Sequence, residues 1–361
     1  MSAVASDPAT VLVRERGSLL LLGLLAVLLV CLVLAIGSGA SWLPPGRVIA
    51  VLLDAVGLNV APVELRDQAV VLGIRLPRVL QGVMVGAGLA LAGTLMQGLF
   101  RNPLADPGLI GVSSGAALMA AASIVLGAPA MAWLALPKTA MPFVLPVAAF
   151  AGGLLATLLI HQLARRDGET EIATMLLAGV AVGAIAAAGI GYLSFLSDDR
   201  QLRDLTFWTL GSLGGASWRS VLALAVFLVP AALAAPLLAN TLNALILGER
   251  EAGHLGIDVE RRKKLIIAVS ALAVGASVAS SGIIGFVGLV VPHLVRLLAG
   301  ADHRIVLPGS ALLGAALMLV CDLVARVIVA PAELPIGVVM SALGGPFFLW
   351  MLRQRRALSM G

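Results

Sequence analysis

The chain has 361 residues, 60% of them hydrophobic and only 12% charged, with a formal net charge of +5. That much apolar side chain exceeds what a soluble core of this size requires, and it arrives in unbroken runs of about 20 residues, the length of a membrane-spanning helix. A β-barrel is excluded because its wet lumen face demands alternating polar residues. The modest positive charge marks loops facing anionic lipid, not a nucleic-acid surface.

The fold class read from this pattern is all-α, a single polytopic membrane domain over residues 1–361. About ten helices are predicted, near 18–37, 79–100, 109–127, 142–163, 172–196, 218–239, 263–282, 285–299, 305–329 and 336–352. The first apolar run, Leu19–Ile36, is too long for a signal-peptide core and reads as a true span entered after Arg14 and Arg16. The outer segment Gly37–Arg78 is polar enough to be a loop with helical pieces. With the N-terminus inside, most Lys and Arg fall on the cytoplasmic side, which places both termini there. The outer positives, Arg47, Arg66, Arg75, Arg78, Lys138, Arg200, Arg203, Arg219 and Arg326, need a separate reason.

Along the second helix, "RLPR" at 75–78 leads to "AGTLMQGLFRNPLADP", and "RRKK" at 261–264 leads similarly to "SSGIIGFVGLVVPH". Arg75 precedes Gly93 by the interval that separates Lys264 from Gly282. The two helices run in opposite directions, so the echo suggests an inverted repeat. "FRNPLADPGLIGVSSG", 100–115, contains two prolines and reads as a structured break, either a tight turn or a turn bordering a pathway. Glycines four apart, such as Gly82 with Gly86 and Gly111 with Gly115, make smooth helix faces for close packing.

Asp322 and Arg326 stand at i, i+4 and can pair with each other. Glu333 lies just before the last helix. Cys31 and Cys321 sit inside apolar runs as small hydrophobes. The four histidines show no metal-ligand spacing, so no metal site is expected. A phosphate loop G-x-x-x-x-G-K-[ST] is missing, as is a row of intramembrane acids for an ion relay. A many-span chain with neither is a channel, a facilitator, or one subunit of a machine powered elsewhere.

The polar island "LILGEREAGHLGIDVERRKK", 245–264, concentrates charge between two apolar runs. Ala252, Leu255 and Val259 form a short apolar stripe, with Gly248, Gly253 and Gly256 permitting turns. Two readings stand: a surface helix pressed into a partner's groove, or a solvated loop ending in a positive anchor at 261–264.

"RLPRVLQGVMVGAGLALAGTLMQGLFRNPLADPGLIGVSSGAAL", "LILGEREAGHLGI", "GFVGLVVPHLVRLLAGADHRIVLPGSALLGA" and "ELPIGVVMSALGGPFFLW" resemble the permease subunits of type II ABC importers, the FecCD-type family that carries iron–siderophores, haem and vitamin B12. The resemblance runs from Arg75 to the C-terminus. It implies a homodimer in the bacterial inner membrane, joined by two ATPase subunits and a periplasmic substrate-binding protein. ATP and Mg are expected on the ATPase, so this chain is no enzyme and binds no cofactor. It further implies a cytoplasmic coupling-helix segment at 242–257, with Leu242, Leu247, Gly248, Glu249, Arg250, Gly253, Leu255 and Gly256 as ATPase-docking residues. Arg75, Arg78 and Arg326 are the implied docking sites for acidic groups of the binding protein. Ile172, Ala173, Thr174, Ile336 and Val339 are the implied pathway and gate residues. "QLRDLTFWTLGSLGGASW", 201–218, is more similar to haemin permeases than to siderophore ones, so haem is the expected cargo, with a siderophore or vitamin B12 as the alternative. An ATP-independent secondary transporter or channel is the competing class.

Overall fold

Lipid offers no hydrogen-bond partners, so each apolar run must satisfy its own backbone, and a helix does this within the segment. The computed structural model describes residues 8–39, 42–133, 137–166, 168–330 and 332–359. The side chains of Arg14, Arg16, Lys138, Arg355 and Arg356 lie outside the described residues.

The chain opens with α1 (Pro8–Gly37), followed by the short outer helices α2 (Pro45–Ala55) and α3 (Leu65–Val70). A π-helical turn at Val71–Arg75 joins α3 to α4 (Leu76–Leu99), making one rod from Leu65 to Leu99. Pro77 lacks the N–H that would bond residue 73, and the wider turn absorbs the irregularity. After the predicted break come α5 (Val112–Trp133) and α6 (Met141–Leu163). A two-stranded antiparallel hairpin, β1 (Arg165–Arg166) with β2 (Glu169–Thr170), then leads into α7 (Ile172–Leu196). Next are α8 (Asp199–Leu210), α9 (Trp218–Ala234), α10 (Ala239–Leu247) and α11 (Glu249–His254). The last four helices are α12 (Val259–Ser281), α13 (Val287–Ala299), α14 (His303–Val327) and α15 (Ile336–Ser359).

Among the described residues, seven helices are long and apolar enough to cross a membrane. Shorter apolar helices at Val112–Gly127, Val287–Ala299 and Ile336–Met351 occupy the remaining expected positions. The sequence reading missed α8, whose Asp198 and Gln201 form a reciprocal capping box. It also began the second span at Val79, where the helix in fact reaches back to Leu65.

The core is built around α4 and α12, which run antiparallel: Gln81 donates to the Ser280 carbonyl, and Gly88 lies against Ser277. Helix α4 packs on α13 and α14, while α12 packs on α5 and α6. Gly93 lies against the backbone of Gly288 at the start of α13, and Gly275 of α12 lies against Phe150 of α6 and Val112 of α5. The two intervals matched in the sequence start from different points of their helices. Helix α4 begins just after Arg75, whereas α12 begins at Val259, before Lys264.

Close approach at the crossings comes from paired glycines. A Cβ on Gly86 would meet the Gly314 carbonyl, and one on Gly115 the Gly152 carbonyl. Both are members of the four-apart pairs seen in the sequence, with the partner glycine on another helix.

Candidate docking and gate residues

At the end of the molecule where α10, α11 and the start of α12 meet, the polar island folds as a short helix between two turns. Gly248, at φ 123°, breaks α10 from α11, and Gly256, at φ 81°, ends α11; both are left-handed positions suited to glycine. Asp258 then caps α12 by accepting from the Arg261 N–H. The predicted docking residues divide. Leu247, Arg250, Gly253, Leu255 and Gly256 are exposed or turn outward, and Ile246 joins Leu247 and Leu255 in an apolar surface. Leu242 is fully buried against Gly98 and belongs to the core. Of the expected stripe, Ala252 is buried and Val259 packs on the core, while Leu255 faces out at 65% exposure.

The predicted anchor 261–264 also divides. Arg261 pairs with Asp258 at 2.9 Å and Lys264 with Glu260 at 3.7 Å. Lys263 instead points inward, its side chain only 5% exposed. Its ammonium donates to Glu249 at 2.5 Å and to the Thr170 carbonyl at 3.3 Å. Glu260 accepts from the Thr170 hydroxyl at 2.7 Å and from its backbone N–H at 3.1 Å. The β1–β2 hairpin is thus fastened to α12 directly before Ile172, Ala173 and Thr174. In the first turn of α7, Thr174 donates to Glu171 at 2.7 Å.

A second fastening joins α10 to α14. Asn243 donates to Asp302 at 2.7 Å and accepts from the His303 backbone N–H at 2.9 Å, and Arg304 donates to Asn240 at 2.8 Å. Burial works against the Asp302 carboxylate. The Arg304 N–H, the Asn243 amide and the neighbouring positive charges outweigh it and hold its carboxyl below the usual range. In the 100–111 break, Asp106 accepts from the Gly108 N–H at 2.7 Å. Leu109 carbonyl meets Gly179 of α7, and Pro107 meets Gly288 of α13. The break is therefore wedged between α7 and α13.

At the opposite end, the three predicted docking arginines are turned inward. Arg75 donates to the carbonyls of Ile36 and Gly37, both at 2.8 Å. Arg326 donates to Ser38 at 2.8 Å and Ala35 at 3.2 Å, and pairs with Asp322 at 3.0 Å. Two guanidinium groups thus cover the last carbonyls of α1, the negative end of its dipole. Arg78 bridges Asp322 and Glu333, each at 2.9 Å. Of its two carboxylate partners, Asp322 is buried and Glu333 is 45% exposed. The i, i+4 pair of Asp322 with Arg326 is present, and Arg78 adds a third member that the sequence did not reveal.

The predicted pathway residues separate by helix. Ala173 is exposed on α7, beside the half-buried Ile172 and Thr174. Ile336 and Val339 face the chain's own core, and the Ile336 N–H donates to the Gly211 carbonyl at 3.0 Å. The exposed residues at this level of α15 are Val338, Ser341, Ala342 and Leu343. An apolar stretch gives no sign of which side faces outward.

These features define a polytopic α-helical membrane protein with charged clusters confined to its two ends. A model of the FecCD transport family matches residues 27–354. The hemin transport system permease protein HmuU of Yersinia pestis is 50% identical over 80% of this chain and 84% of its own. The cobalamin import system permease protein BtuC of Halobacterium salinarum is 43% identical over 80% of this chain and 74% of its own. The vitamin B12 import system permease protein BtuC of Klebsiella pneumoniae is 39% identical over 95% of this chain and 96% of its own. A solved inward-facing conformation of a putative metal-chelate type ABC transporter superposes with a TM-score of 0.79 at 32% identity, covering 92% of this chain and 98% of that one.

The chain belongs to the FecCD transport family. It is the permease subunit of an ABC importer, not a gradient-driven carrier or channel, and ATP hydrolysis resides on a separate subunit. An ATPase and a substrate-binding protein are its partners, and it is a multi-pass membrane protein.

Proposed function

We propose that this permease carries haem from periplasm to cytoplasm across the bacterial inner membrane, as a homodimer with two ATPase subunits. The observation that carries the haem reading is the 50% identity to a hemin permease, against 43% and 39% for the cobalamin and vitamin B12 permeases. The similarity of 201–218 to haemin permeases lies within that match and is the part of it that reads most like a haemin permease. A siderophore or vitamin B12 is the alternative cargo. ATP and Mg belong to the ATPase. The test is reconstitution in liposomes with the cognate ATPase and binding protein, and measurement of ATP-driven uptake of haem, cyanocobalamin and a ferric siderophore. Uptake of haem alone supports the reading, and preferential uptake of either competitor overturns it.

Within the single domain 1–361, the segment 242–257 is the ATPase dock, with Leu247, Arg250 and Leu255 at its contact face and both termini on that cytoplasmic side. The exposed face of α7 is the natural partner for the second copy, and Ile172–Thr174 form the gate with α15. Docking of the binding protein proceeds at Arg78 by exchange. An incoming carboxylate replaces Glu333, the more exposed of the two groups that hold the guanidinium. Arg75 and Arg326 support that site by fixing the end of α1 beside it.

A further inference from the structure

We infer that Lys263 and Glu260 transmit motion from the docking helix α11 to the start of α7, as positioning residues of the transport cycle. This rests on the reading of 242–257 as the ATPase dock. Helix α11 is not a rigid continuation of α10, because Gly248 at φ 123° interrupts the two. Its first residue, Glu249, is held by Lys263 on α12. The same ammonium holds the carbonyl of Thr170, and Glu260, one turn earlier on α12, holds the hydroxyl and N–H of Thr170. Thr170 is 3% exposed and stands two residues before α7 begins. One continuous path of polar contacts therefore runs from α11 through the base of α12 to Ile172.

The chemistry suits a strut. An ammonium withdrawn from water requires a carboxylate, so Lys263 cannot release Glu249 without a large penalty. Glu249 keeps a side chain 35% exposed, so it lies at the boundary between the dock and the interior. The other fastening of this segment, Asn243 with Asp302 and His303, leads to α14 and not to α7. A push on α11 thus reaches the start of α7 through the ionic path, while α10 stays fixed to α14.

The test uses the full complex in liposomes, with Ala173→Cys as a reporter of the start of α7. Labelling by a membrane-impermeant thiol reagent is compared with and without ATP, alongside cargo transported per ATP hydrolysed. For Lys263→Met, the ATPase co-purifies normally, the ATP-dependent change in labelling disappears, and cargo per ATP falls by about fivefold or more, the size of an ordinary coupling between sites. Lys263→Arg, which keeps the charge, restores both. Normal labelling change and normal stoichiometry of cargo per ATP in Lys263→Met overturn the strut. Thr170→Val, which deletes only the hydroxyl that holds Glu260, gives the same readout in a variant that keeps the buried ammonium paired. Failure of the dock itself is recognised separately, by ATPase that still co-purifies with Leu255→Asp.

Discussion

Arg75, Arg78 and Arg326 share a residue type and one end of the molecule, yet their surroundings give them different work. Arg326 caps carbonyls of α1 and pairs with a buried carboxylate, so Arg326→Ala strands those acceptors. The expected loss is about 2 kcal/mol, read as a lower midpoint of thermal unfolding in detergent. Arg78 is different because Glu333, one of its two carboxylate partners, is 45% exposed. Glu333→Gln is expected to strengthen binding-protein docking and Arg78→Gln to weaken it, both effects shrinking at high salt. Unchanged affinity for both variants at low salt counts against exchange at Arg78. At the other end, Glu249 is a poor choice for probing the dock, since its replacement leaves Lys263 buried and unpaired. Leu247→Asp with Leu255→Asp alters only exposed side chains and is expected to abolish ATPase co-purification while membrane insertion stays normal. Retention of a stoichiometric complex removes the docking role.

At the scale of elements, Gly86 and Gly314 set the close approach of α4 and α14. Gly86→Ala sets a Cβ against the Gly314 backbone, which cannot rotate away. Forced separation of the two helices is expected to cost about 1–3 kcal/mol, measured as detergent unfolding, whereas Gly23→Ala on α1, with open space at its Cβ, is expected to cost nothing. The spans were legible because a bilayer demands a long apolar run for every crossing, and Leu19–Ile36 or Ile172–Leu196 satisfies it visibly. Helix α8 was not, because its polar, capped sequence resembles any surface loop. The break at 100–111 was legible from Pro103 and Pro107, but its contact with Gly179 of α7 was not, since nothing local in the chain encodes a neighbour on another helix.

At the scale of the whole molecule, α7 is the least covered of the long spans: Leu177, Val180 and Ile185 are exposed on it, at 72%, 66% and 69%. A face of that kind meets either lipid or a second copy. The homodimer reading expects cysteines placed at successive exposed positions of α7 to cross-link between copies with helical periodicity in native membranes. Uniform absence of cross-links along α7 would assign that face to lipid.

The apolar runs, the polar island and the family motifs by themselves determined an all-α membrane permease and the order of its spans. They do so because lipid constrains each span locally and the motifs are contiguous. Only the tertiary structure decided which charges face outward. Arg75 and Arg326 turn onto the end of α1, Lys263 turns inward to Glu249, and Ile336 and Val339 are buried within the chain. Each choice depends on a carboxylate, a carbonyl or a helix brought close from a distant part of the chain, and a buried charge takes whichever partner the packing supplies.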